Sequence, residues 1–360
     1  MRTGTARLPL HTGRAPRWLF ERMVRLAREV VRLLVEEHGP AEVLRRLSDP
    51  FWFQAFGCVL GFDWHSSGVT TTTCGALKEG LKGLERDLGL YVAGGKGRAS
   101  RRTPDEIVSG CEQTGADAGR LVYASRMSAK VDSAAVQDGH QIYHHAFFFT
   151  SDGRWCVVQQ GMCAGTRTAR RYHWLGEGVS DFVNEPHAGV CADRRAPVLN
   201  LVAAESRPVR EGAAELSREG PEAVLSAVER ARDLRLPARH AVALSDVDPR
   251  RLRRILLETY ERAPRGFEEL LGTPGVGAKT LRALALTAEL VYGTPASTRD
   301  PARFSFAHGG KDRTPFPVDR QTYDRTIEVL RAALDRARVD RTDKVKALRR
   351  LARFAGAGPA

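Results

Sequence analysis

Two apolar runs on either side of Asp152-Gly153 constrain the fold of this chain most strongly. Residues 142–162 read IYHHAFFFTSDGRWCVVQQGM, and runs so rich in aromatic and β-branched residues favour β-strands. Asp-Gly between two such runs is typical of a β-hairpin with a two-residue type I′ turn. We therefore predict an antiparallel hairpin here, with a third strand at residues 169–175.

A two-residue turn also fixes which residues lie opposite each other in the hairpin. With Asp152 and Gly153 in the turn, His145 would lie opposite Gln160. Because side chains alternate between the two faces of a strand, one face would carry His145, Phe147, Phe149, Cys156, Val158 and Gln160. The end of that face distant from the turn is polar, and it is the first candidate for a functional site.

Helical patterns surround this predicted sheet. Apolar residues recur at helical spacing before Gly39-Pro40, and the same pattern returns after about residue 205 in the segments 211–233, 248–262, 266–271, 279–292, 319–335 and 343–354. Residues 120–127 are predicted to form a strand, and the glycine-rich, basic segment 92–104 a loop. The predicted fold class is α+β, with an N-terminal α+β domain (1–205) that holds a small antiparallel sheet and an all-helical C-terminal domain (206–360).

The net charge of the chain indicates a polyanionic partner. There are 56 Lys and Arg against 43 Asp and Glu, a net charge of +13. The last sixty residues hold 14 basic and 7 acidic residues, which is more than half of the excess. Nucleic acid is the first candidate for such a partner, and a solvated, arginine-rich surface is the alternative.

Other features of the composition argue against a membrane or secreted protein. The sequence has no apolar run near the roughly 20 residues of a membrane span, and its N-terminus lacks the apolar stretch of a signal peptide. The six cysteines include no C-x-x-C pair, so neither a zinc site nor a disulfide framework is predicted. We expect a cytoplasmic protein without a membrane partner.

The segment 271–280, LGTPGVGAKT, is close to a phosphate-binding loop without forming one. In such a loop a lysine directly follows the last glycine, whereas Ala278 precedes Lys279 here. Helical patterns on both sides predict two helices joined by a tight glycine corner. Glycines allow close approach, and the second helix offers free N–H groups to a phosphate. We therefore predict DNA backbone contacts from Gly275, Val276, Gly277, Lys279 and Thr280.

Residues 270–284, LLGTPGVGAKTLRAL, resemble the helix-hairpin-helix of DNA repair proteins, in which Leu usually stands where this chain has Thr273. Residues 316–330, FPVDRQTYDRTIEVL, are similar to the segment that follows the hairpin in DNA glycosylases of the endonuclease III type. This resemblance implies that Lys279 is a Schiff-base nucleophile and that Asp319 stabilises the cationic transition state. The competing roles are a phosphate contact for Lys279 and a helix N-cap for Asp319.

The chain as a whole resembles a second group of proteins. From MRTGTARLPLHTG through QQGM and ARRYHW to the glycine corner, it is similar to an uncharacterised-domain family of prokaryotic, largely thermophilic proteins. That resemblance implies no agreed chemistry, so the polar residues have to be interpreted directly.

Acidic, histidine and glutamine residues cluster in sequence around the predicted hairpin. We predict a catalytic site formed by Lys130, Asp132, Asp138, His140, His145 and Gln160. Oxygen ligands suit Mg²⁺ or Mn²⁺, and Mn²⁺ also accepts imidazole, so Asp132, Asp138 and His145 are the predicted metal ligands. A metal-bound water could attack a phosphodiester, with Lys130 stabilising the developing charge.

These patterns together predict a DNA-processing enzyme. The favoured function is a metal-dependent nuclease that acts on single-stranded or branched DNA, RNA–DNA hybrids included, because backbone contacts read no bases. The alternatives are a DNA glycosylase/lyase that uses Lys279 and Asp319, and a non-catalytic DNA-binding protein. A homodimer is compatible with the sequence.

Overall fold

The computed structural model describes residues 15–61, 67–192, 195–232, 248–302 and 320–356, and most of them are helical. The helices before the predicted hairpin are α1 (Arg17–His38), α2 (Pro40–Ser48), α3 (Pro50–Leu60), α4 (Gly68–Leu81), α5 (Glu85–Leu88), α6 (Arg98–Arg101), α7 (Thr103–Glu112) and α8 (Ala118–Lys130). Those after it are α9 (Arg207–Glu219), α10 (Pro221–Arg232), α11 (Pro249–Arg262), α12 (Phe267–Gly272), α13 (Ala278–Tyr292), α14 (Arg320–Arg336) and α15 (Arg341–Gly356). The helices predicted after residue 205 are confirmed, except that the predicted helix 211–233 breaks at Gly220.

The strands form a five-stranded and a two-stranded antiparallel sheet. The strands are β1 (Leu90–Lys96), β2 (Val136–Gln137), β3 (Gln141–Thr150), β4 (Trp155–Cys163), β5 (Thr168–Leu175), β6 (Gly189–Cys191) and β7 (Leu199–Asn200). The larger sheet has the order β1-β3-β4-β5-β6, and β2 pairs with β7. The α+β class, the hairpin and its third strand are confirmed. No helix of the described ranges is long and apolar enough to cross a lipid bilayer.

The turn of the hairpin is one residue longer than predicted. Thr150 N donates to Arg154 O at 2.9 Å, and Gly153 N donates to Thr150 O at 2.9 Å, so three residues form the loop. Gly153 has a φ of 80°, as expected of the left-handed residue that closes a three-residue loop. The predicted two-residue turn is therefore wrong.

The longer loop changes which side chains share a face of the sheet. His145 lies opposite Gln159, and His144 lies opposite Gln160. A slip of one residue moves every side chain of a strand to the other face, so the predicted grouping of Gln160 with His145 is wrong. His145 and Gln159 share one face, and Gln160 lies on the other.

Residues 120–127 belong to helix α8, and the predicted strand is wrong. The Asp117 side chain accepts a hydrogen bond from Arg120 N at 3.0 Å, which caps the helix. The buried residues Leu121, Ala124 and Ser128 follow helical spacing. The helical period and the cap therefore outweigh the strand propensity of this short segment.

The glycine-rich segment predicted as a loop contains most of strand β1. Gly94 pairs with Ala146 of β3. A Cβ atom at Gly94 would lie 2.3 Å from His145 O, so only glycine permits the two strands to approach this closely. The glycines here mark a close contact between strands.

The two faces of the central sheet contribute to two hydrophobic cores. The first core packs Phe147, Phe149 and Val157 of one face against helices α8 to α13. The second core packs Phe148 and Val158 of the opposite face against α1 to α4, α14 and α15. Each core combines residues from before and after residue 205, so the two predicted domains share both cores.

Candidate catalytic and nucleic-acid sites

Asp132 is the centre of a buried hydrogen-bond network on the face of the first core. Its side chain is fully buried. Oδ2 accepts hydrogen bonds from Gln159 Nε2 and, at 2.9 Å, from Trp174 Nε1. Oδ1 lies 2.5 Å from His187 Nε2. A carboxylate only accepts hydrogen bonds, so Nε2 of His187 is the nitrogen that carries hydrogen in this pair.

A π-helical turn places Asp132 at this centre. Helix α8 ends at Lys130, and Val131–Ala135 continue it as a π-helix. Such turns occur mostly as single insertions and often at functional sites. The wider turn directs Asp132 toward β4 and β5, which supply Gln159 and Trp174.

His145 joins this network through Gln159. Its Nδ1 lies 2.8 Å from Gln159 Oε1, and its Nε2 lies 2.9 Å from Ser125 Oγ. Gln159 Nε2 also donates to Ser128 O at 3.0 Å. Burial lowers the pKa of His145, so the ring is neutral, donates from Nδ1 and accepts at Nε2. His145 therefore orients Gln159, which in turn donates to Asp132.

Asp138 belongs to a separate buried network. Its Oδ2 accepts from Tyr172 OH at 2.6 Å and from Arg170 Nη1 at 3.1 Å, and its Oδ1 accepts from His140 N at 2.9 Å. Arg170 also forms a two-point ion pair with Asp300. Burial alone would raise the pKa of Asp138, but the hydrogen bond from His140 and the charge of Arg170 lower it overall.

The three predicted metal ligands do not form a metal site. Across the residues that the structure describes, no group of three or more His, Cys, Asp or Glu side chains is placed to hold an ion. Asp132 and Asp138 already accept hydrogen bonds at both oxygens, and both ring nitrogens of His145 have partners. These residues therefore do not fit Mn²⁺ or Mg²⁺, and the metal dependence stays a prediction.

Among the described residues, the other predicted catalytic residues make no hydrogen bond with Asp132. Gln160, on the opposite face of the sheet, donates to Tyr143 OH at 2.5 Å and to Ser67 O at 3.0 Å. His140 Nδ1 lies 3.0 Å from a main-chain oxygen of its own loop. Lys130 is half-buried at the end of α8, and burial lowers its pKa. The contacts of Gln160 and His140 are those of residues that stabilise the fold.

His187 is a functional candidate that the predicted catalytic site did not include. It lines a cavity of about 230 Å³, which is also lined by Glu185, Gly189, Val190, Arg195, Asn200, Val202, Ala203, Arg299, Asp300, Pro301 and Ala302. Hydrogen bonds from the described residues reach the ring at Nε2 alone, which leaves Nδ1 without a partner among them. His187 and Asp132 are 55 residues apart in sequence, so only the folded chain shows that they pair.

The cavity is also lined by Arg299, whose ion pairs are exposed to solvent. Arg299 Nη2 lies 3.1 Å from Glu185 Oε1 and 3.0 Å from Glu205 Oε2, with 63% of its side chain exposed. Exposed ion pairs contribute about 0–1 kcal/mol. The two ion pairs of Arg299 therefore contribute little to stability.

The glycine corner between α12 and α13 is exposed to solvent. Pro274, Gly275 and Lys279 lie at the surface, whereas the side chains of Val276 and Thr280 are buried. Of the predicted DNA contacts, those two can take part through the main chain only. A positive φ of 78° explains the glycine at position 275.

The backbone conformation of Gly277 does not require a glycine. It is the N-cap of α13, with an extended φ of −143° and no side-chain cap. The nearest atom to a Cβ at this position would be Gly275 O, at 4.0 Å. Neither backbone strain nor packing requires a glycine here. Glycine is a favourable N-cap residue, and its missing side chain leaves the backbone open to close approach by another molecule.

The corner borders a cavity of about 320 Å³ between α11 and α13. Lys279, Arg251 and Asp248 are among its lining residues. Asp248 caps α11 by accepting from Arg250 N at 3.0 Å. Asp319, the predicted partner of Lys279, lies outside the described residues.

Gln137 connects the corner to the segment that carries Asp132. Its Nε2 donates to Ala278 O at 2.8 Å, and its Oε1 accepts from Arg282 Nε at 2.8 Å. Nε2 also donates to Ala134 O, in the π-helical turn itself, at 3.0 Å. One glutamine thus bonds both to the first turn of α13 and to the turn that holds Asp132.

Comparisons with known proteins show the family and leave the chemistry open. The family model described as "Protein of unknown function (DUF763)" matches residues 4–318. No curated protein and no solved structure was found to match the chain. The predicted whole-chain resemblance to an uncharacterised-domain family is confirmed, whereas the resemblance of the corner to DNA glycosylases stays a prediction. Since the match spans most of its length, the chain belongs to the DUF763 family of proteins of unknown function.

Proposed function

We propose that this protein binds the DNA backbone at the α12–α13 corner and cleaves phosphodiester bonds at the cavity lined by His187. One observation carries the proposal: Gln137 bonds both to the corner and to the π-helical turn that holds Asp132. This contact fixes a backbone-binding element relative to an Asp–His pair.

The corner supplies the binding step. The first N–H groups of a helix have no partner within the helix, and no side chain among the described residues caps α13. These groups and the positive end of the helix dipole favour a phosphate, and Arg251 and Lys279 add charge at the same place. Such contacts read no bases, so single-stranded, branched and RNA–DNA hybrid substrates are all compatible with this site.

The Asp132–His187 pair supplies the chemistry. Asp132 holds His187 through Nε2, so Nδ1 accepts a proton from a water molecule. The water oxygen attacks phosphorus, the bond from phosphorus to the leaving sugar oxygen breaks, and His187 returns the proton to that oxygen. Arg299 stabilises the charge that develops on the phosphate. None of these steps depends on the predicted Mn²⁺ or Mg²⁺, whose proposed ligands do not fit.

Cleavage assays on a substrate panel test the proposal. Single-stranded, duplex, forked and RNA–DNA hybrid substrates are incubated with Mn²⁺ and, separately, with EDTA. We expect cleavage of at least one substrate, and a roughly 10²- to 10⁴-fold loss in both His187→Ala and Asp132→Asn. His38→Gln, a substitution of an exposed histidine at the end of α1, is the control and should cleave normally.

The outcomes of this panel separate the alternatives. Loss of cleavage with EDTA supports the predicted metal dependence and contradicts the metal-free steps assigned to His187, whereas equal cleavage in both arms supports those steps and contradicts the metal dependence. Binding without cleavage of any substrate contradicts the enzymatic proposal and favours a non-catalytic DNA-binding protein. Failure to bind any of these substrates at low ionic strength contradicts the whole proposal.

One observation favours a DNA glycosylase/lyase as the second candidate. Lys279 lines a cavity of about 320 Å³, which is where a Schiff-base nucleophile would have to be. Borohydride should then trap a covalent adduct with DNA that contains an abasic site. The adduct should disappear in Lys279→Ala and persist in Arg251→Ala. A wild-type protein that forms no adduct contradicts this candidate.

The remaining predictions concern location and assembly. All six cysteines are free thiols, which supports the proposed cytoplasmic location because the cytosol keeps thiols reduced. The homodimer stays a prediction.

A further inference from the structure

A basic groove lies between α1 and α15, away from the corner and from His187. It has a volume of about 540 Å³, and its floor is apolar, with Leu19, Leu26, Leu60 and Val339. Helices α1 and α15 pack on the second core, whereas α13 packs on the first. The groove and the corner therefore lie on opposite sides of the central sheet.

The charges that line this groove are mainly positive. Six basic residues (Arg22, Arg25, Arg28, Arg338, Lys346 and Arg350) face three acidic ones (Glu29, Asp340 and Asp343), a net charge of +3. Two of the basic groups are held by main-chain oxygens: Arg28 Nε donates to Gly80 O and Arg350 Nη1 to Val59 O, both at 2.7 Å.

The other basic groups are placed to meet an anionic chain. Asp343 lies 3.3 Å from Arg22 Nε and 4.0 Å from Arg25 Nη2. One carboxylate therefore forms ion pairs with two guanidinium groups and neutralises only one of the two positive charges. Arg338 and Lys346 are exposed at the rim. An anion that enters the groove therefore finds several cations whose charge is not fully balanced.

An exposed tryptophan lies at the rim of the same groove. Trp18 is 58% exposed, although tryptophan is usually buried to a large extent. The guanidinium of Arg22 lies 5.5 Å from the centre of its ring, an arrangement that orients the ring by a cation–π contact. A flat aromatic surface beside cationic groups is the combination on which unpaired bases stack in proteins that bind single strands.

We propose that this groove binds a single-stranded segment of nucleic acid. A base stacks on Trp18, and the phosphates that follow lie near Arg25, Arg338 and Lys346. A duplex keeps its bases stacked on each other, so it cannot use Trp18 in this way. The inference rests on the proposed function and makes it more specific. A substrate bound both at the α12–α13 corner and in the groove has one strand that leaves the corner and passes to the other side of the central sheet.

Binding measurements with two DNA forms test this inference. An oligo-dT 20-mer and a blunt duplex are titrated with the wild-type protein, Trp18→Ala, Lys346→Glu and the control Arg349→Glu. Arg349 lies on the same helix, is exposed and does not line the groove, so the control makes the same charge change outside the groove. Melting temperatures identify any variant that fails to fold.

The inference predicts a selective loss of single-strand binding. Trp18→Ala should weaken binding of the oligo-dT roughly five- to a hundredfold, with little effect on the duplex, and Trp18→Phe should retain most of the affinity. Lys346→Glu should weaken binding of the oligo-dT more than Arg349→Glu does. Folded variants that bind oligo-dT like the wild type would overturn the inference.

Other outcomes distinguish this inference from the proposed function. Wild-type protein that binds neither DNA form at low ionic strength overturns both. If the wild-type protein binds DNA and neither Trp18→Ala nor Lys346→Glu changes the affinity, the inference about the groove is overturned and the proposed function is not. Stronger groove-dependent binding of a poly-glutamate peptide or of anionic vesicles than of oligo-dT also overturns it, because the partner would then be an acidic protein or a membrane surface.

Discussion

At the scale of single residues, the two glycines of the α12–α13 corner have different reasons to be glycine. Gly275 adopts a φ of 78°, which other residues adopt at a cost of roughly 1–2 kcal/mol. Gly277 is extended and has open space where a Cβ would lie. The backbone conformation therefore explains the first glycine, whereas the second is a favourable N-cap residue with open space beside it.

We predict that Gly277→Ala leaves the fold intact and weakens DNA binding. Alanine reduces the entropy of the unfolded chain by roughly 0.4–1 kcal/mol but is a poorer N-cap by a similar amount, so the melting temperature should change little. The added methyl group keeps a phosphate away from the first amides of α13. Loss of one charge-assisted hydrogen bond, roughly 1.5–3 kcal/mol, should weaken the affinity about tenfold or more in anisotropy titrations.

A closely matched control exists on the neighbouring helix. Gly266 is the N-cap of α12 and is also extended, and no atom of the described ranges lies within 4 Å of its Cβ position, but it lies outside the corner. Gly266→Ala should bind DNA like the wild type. Equal affinity of the Gly277→Ala and Gly266→Ala proteins would remove the corner from the proposed interface.

His144 makes a second prediction at this scale. It is 1% exposed, and in the part of the chain that the structure describes neither ring nitrogen has a hydrogen-bond partner. Burial, together with the charges of His145 and Lys96, lowers the pKa of His144 from 6.5 to about 3. The unfolded chain therefore binds a proton that the folded chain does not bind between these values. Stability is then full above pH 6.5 and falls as the pH decreases from 6.5 toward 3.

We predict that His144→Leu weakens this pH dependence. An apolar side chain of similar size removes both unsatisfied nitrogens, so the free energy of unfolding at pH 7 should be unchanged or higher. The decrease in the free energy of unfolding between pH 7 and pH 5 should be smaller in the variant. Part of the decrease should remain, because burial also lowers the pKa of His145. Urea unfolding at the two pH values measures both quantities. A variant that is less stable at pH 7 and keeps the full pH dependence would contradict this account.

At the scale of secondary-structure elements, sequence patterns predicted which elements exist better than how they meet. Asp152-Gly153 correctly located the hairpin, but the number of residues in its loop depends on backbone hydrogen bonds of Thr150 and Arg154, which no pattern specifies. The one-residue error placed Gln160 where Gln159 lies. Of the predicted site, Asp132 and His145 do share a network.

The tertiary partners of Asp132 were beyond the reach of the sequence. His187 follows β5 in an irregular segment and pairs with Asp132 across 55 positions. No local spacing relates the two residues, because the fold alone brings the π-helical turn next to this segment. The glycine corner, in contrast, was predictable from local sequence. Pro274, Gly275 and Gly277 lie close together in the chain and form the turn themselves.

The contact between α13 and β2 makes a prediction at the element scale. Gln137→Ala removes hydrogen bonds to Ala278 and Arg282, so the corner is no longer fixed to the turn that holds Asp132. We expect the rate of cleavage to fall more than the affinity for DNA, with a loss of about 1 kcal/mol or more in stability. Single-turnover cleavage and anisotropy titrations separate the two effects.

An exposed glutamine provides the control for this variant. Gln113 lies at the end of α7, away from the corner, and Gln113→Ala should cleave and bind like the wild type. If Gln137→Ala lowers affinity and leaves the single-turnover rate unchanged, the contact serves binding only and the proposed link to Asp132 is absent.

At the scale of the whole molecule, the arrangement of the two cores determines how the protein unfolds. The first core contains Phe147 from the sheet together with Leu252 and Leu281 from helices after residue 205. The second core contains Phe148 together with Leu351 from the last helix. A cut near residue 205 would therefore expose apolar surface of both cores, in contrast to a boundary between independent domains, where few contacts cross.

We predict that calorimetry gives a single cooperative unfolding transition, with the calorimetric enthalpy equal to the van't Hoff enthalpy. Leu281→Ala and Leu351→Ala remove one buried leucine from each core and should each destabilise the protein by roughly 2–5 kcal/mol. Because both cores include the central sheet, each substitution should lower the temperature of the whole transition and leave it single. Two transitions, of which Leu281→Ala shifts one and Leu351→Ala the other, would show that the cores unfold independently. In that case the groove and the corner would lie on units that can separate, and a strand bound to both would stabilise them against each other.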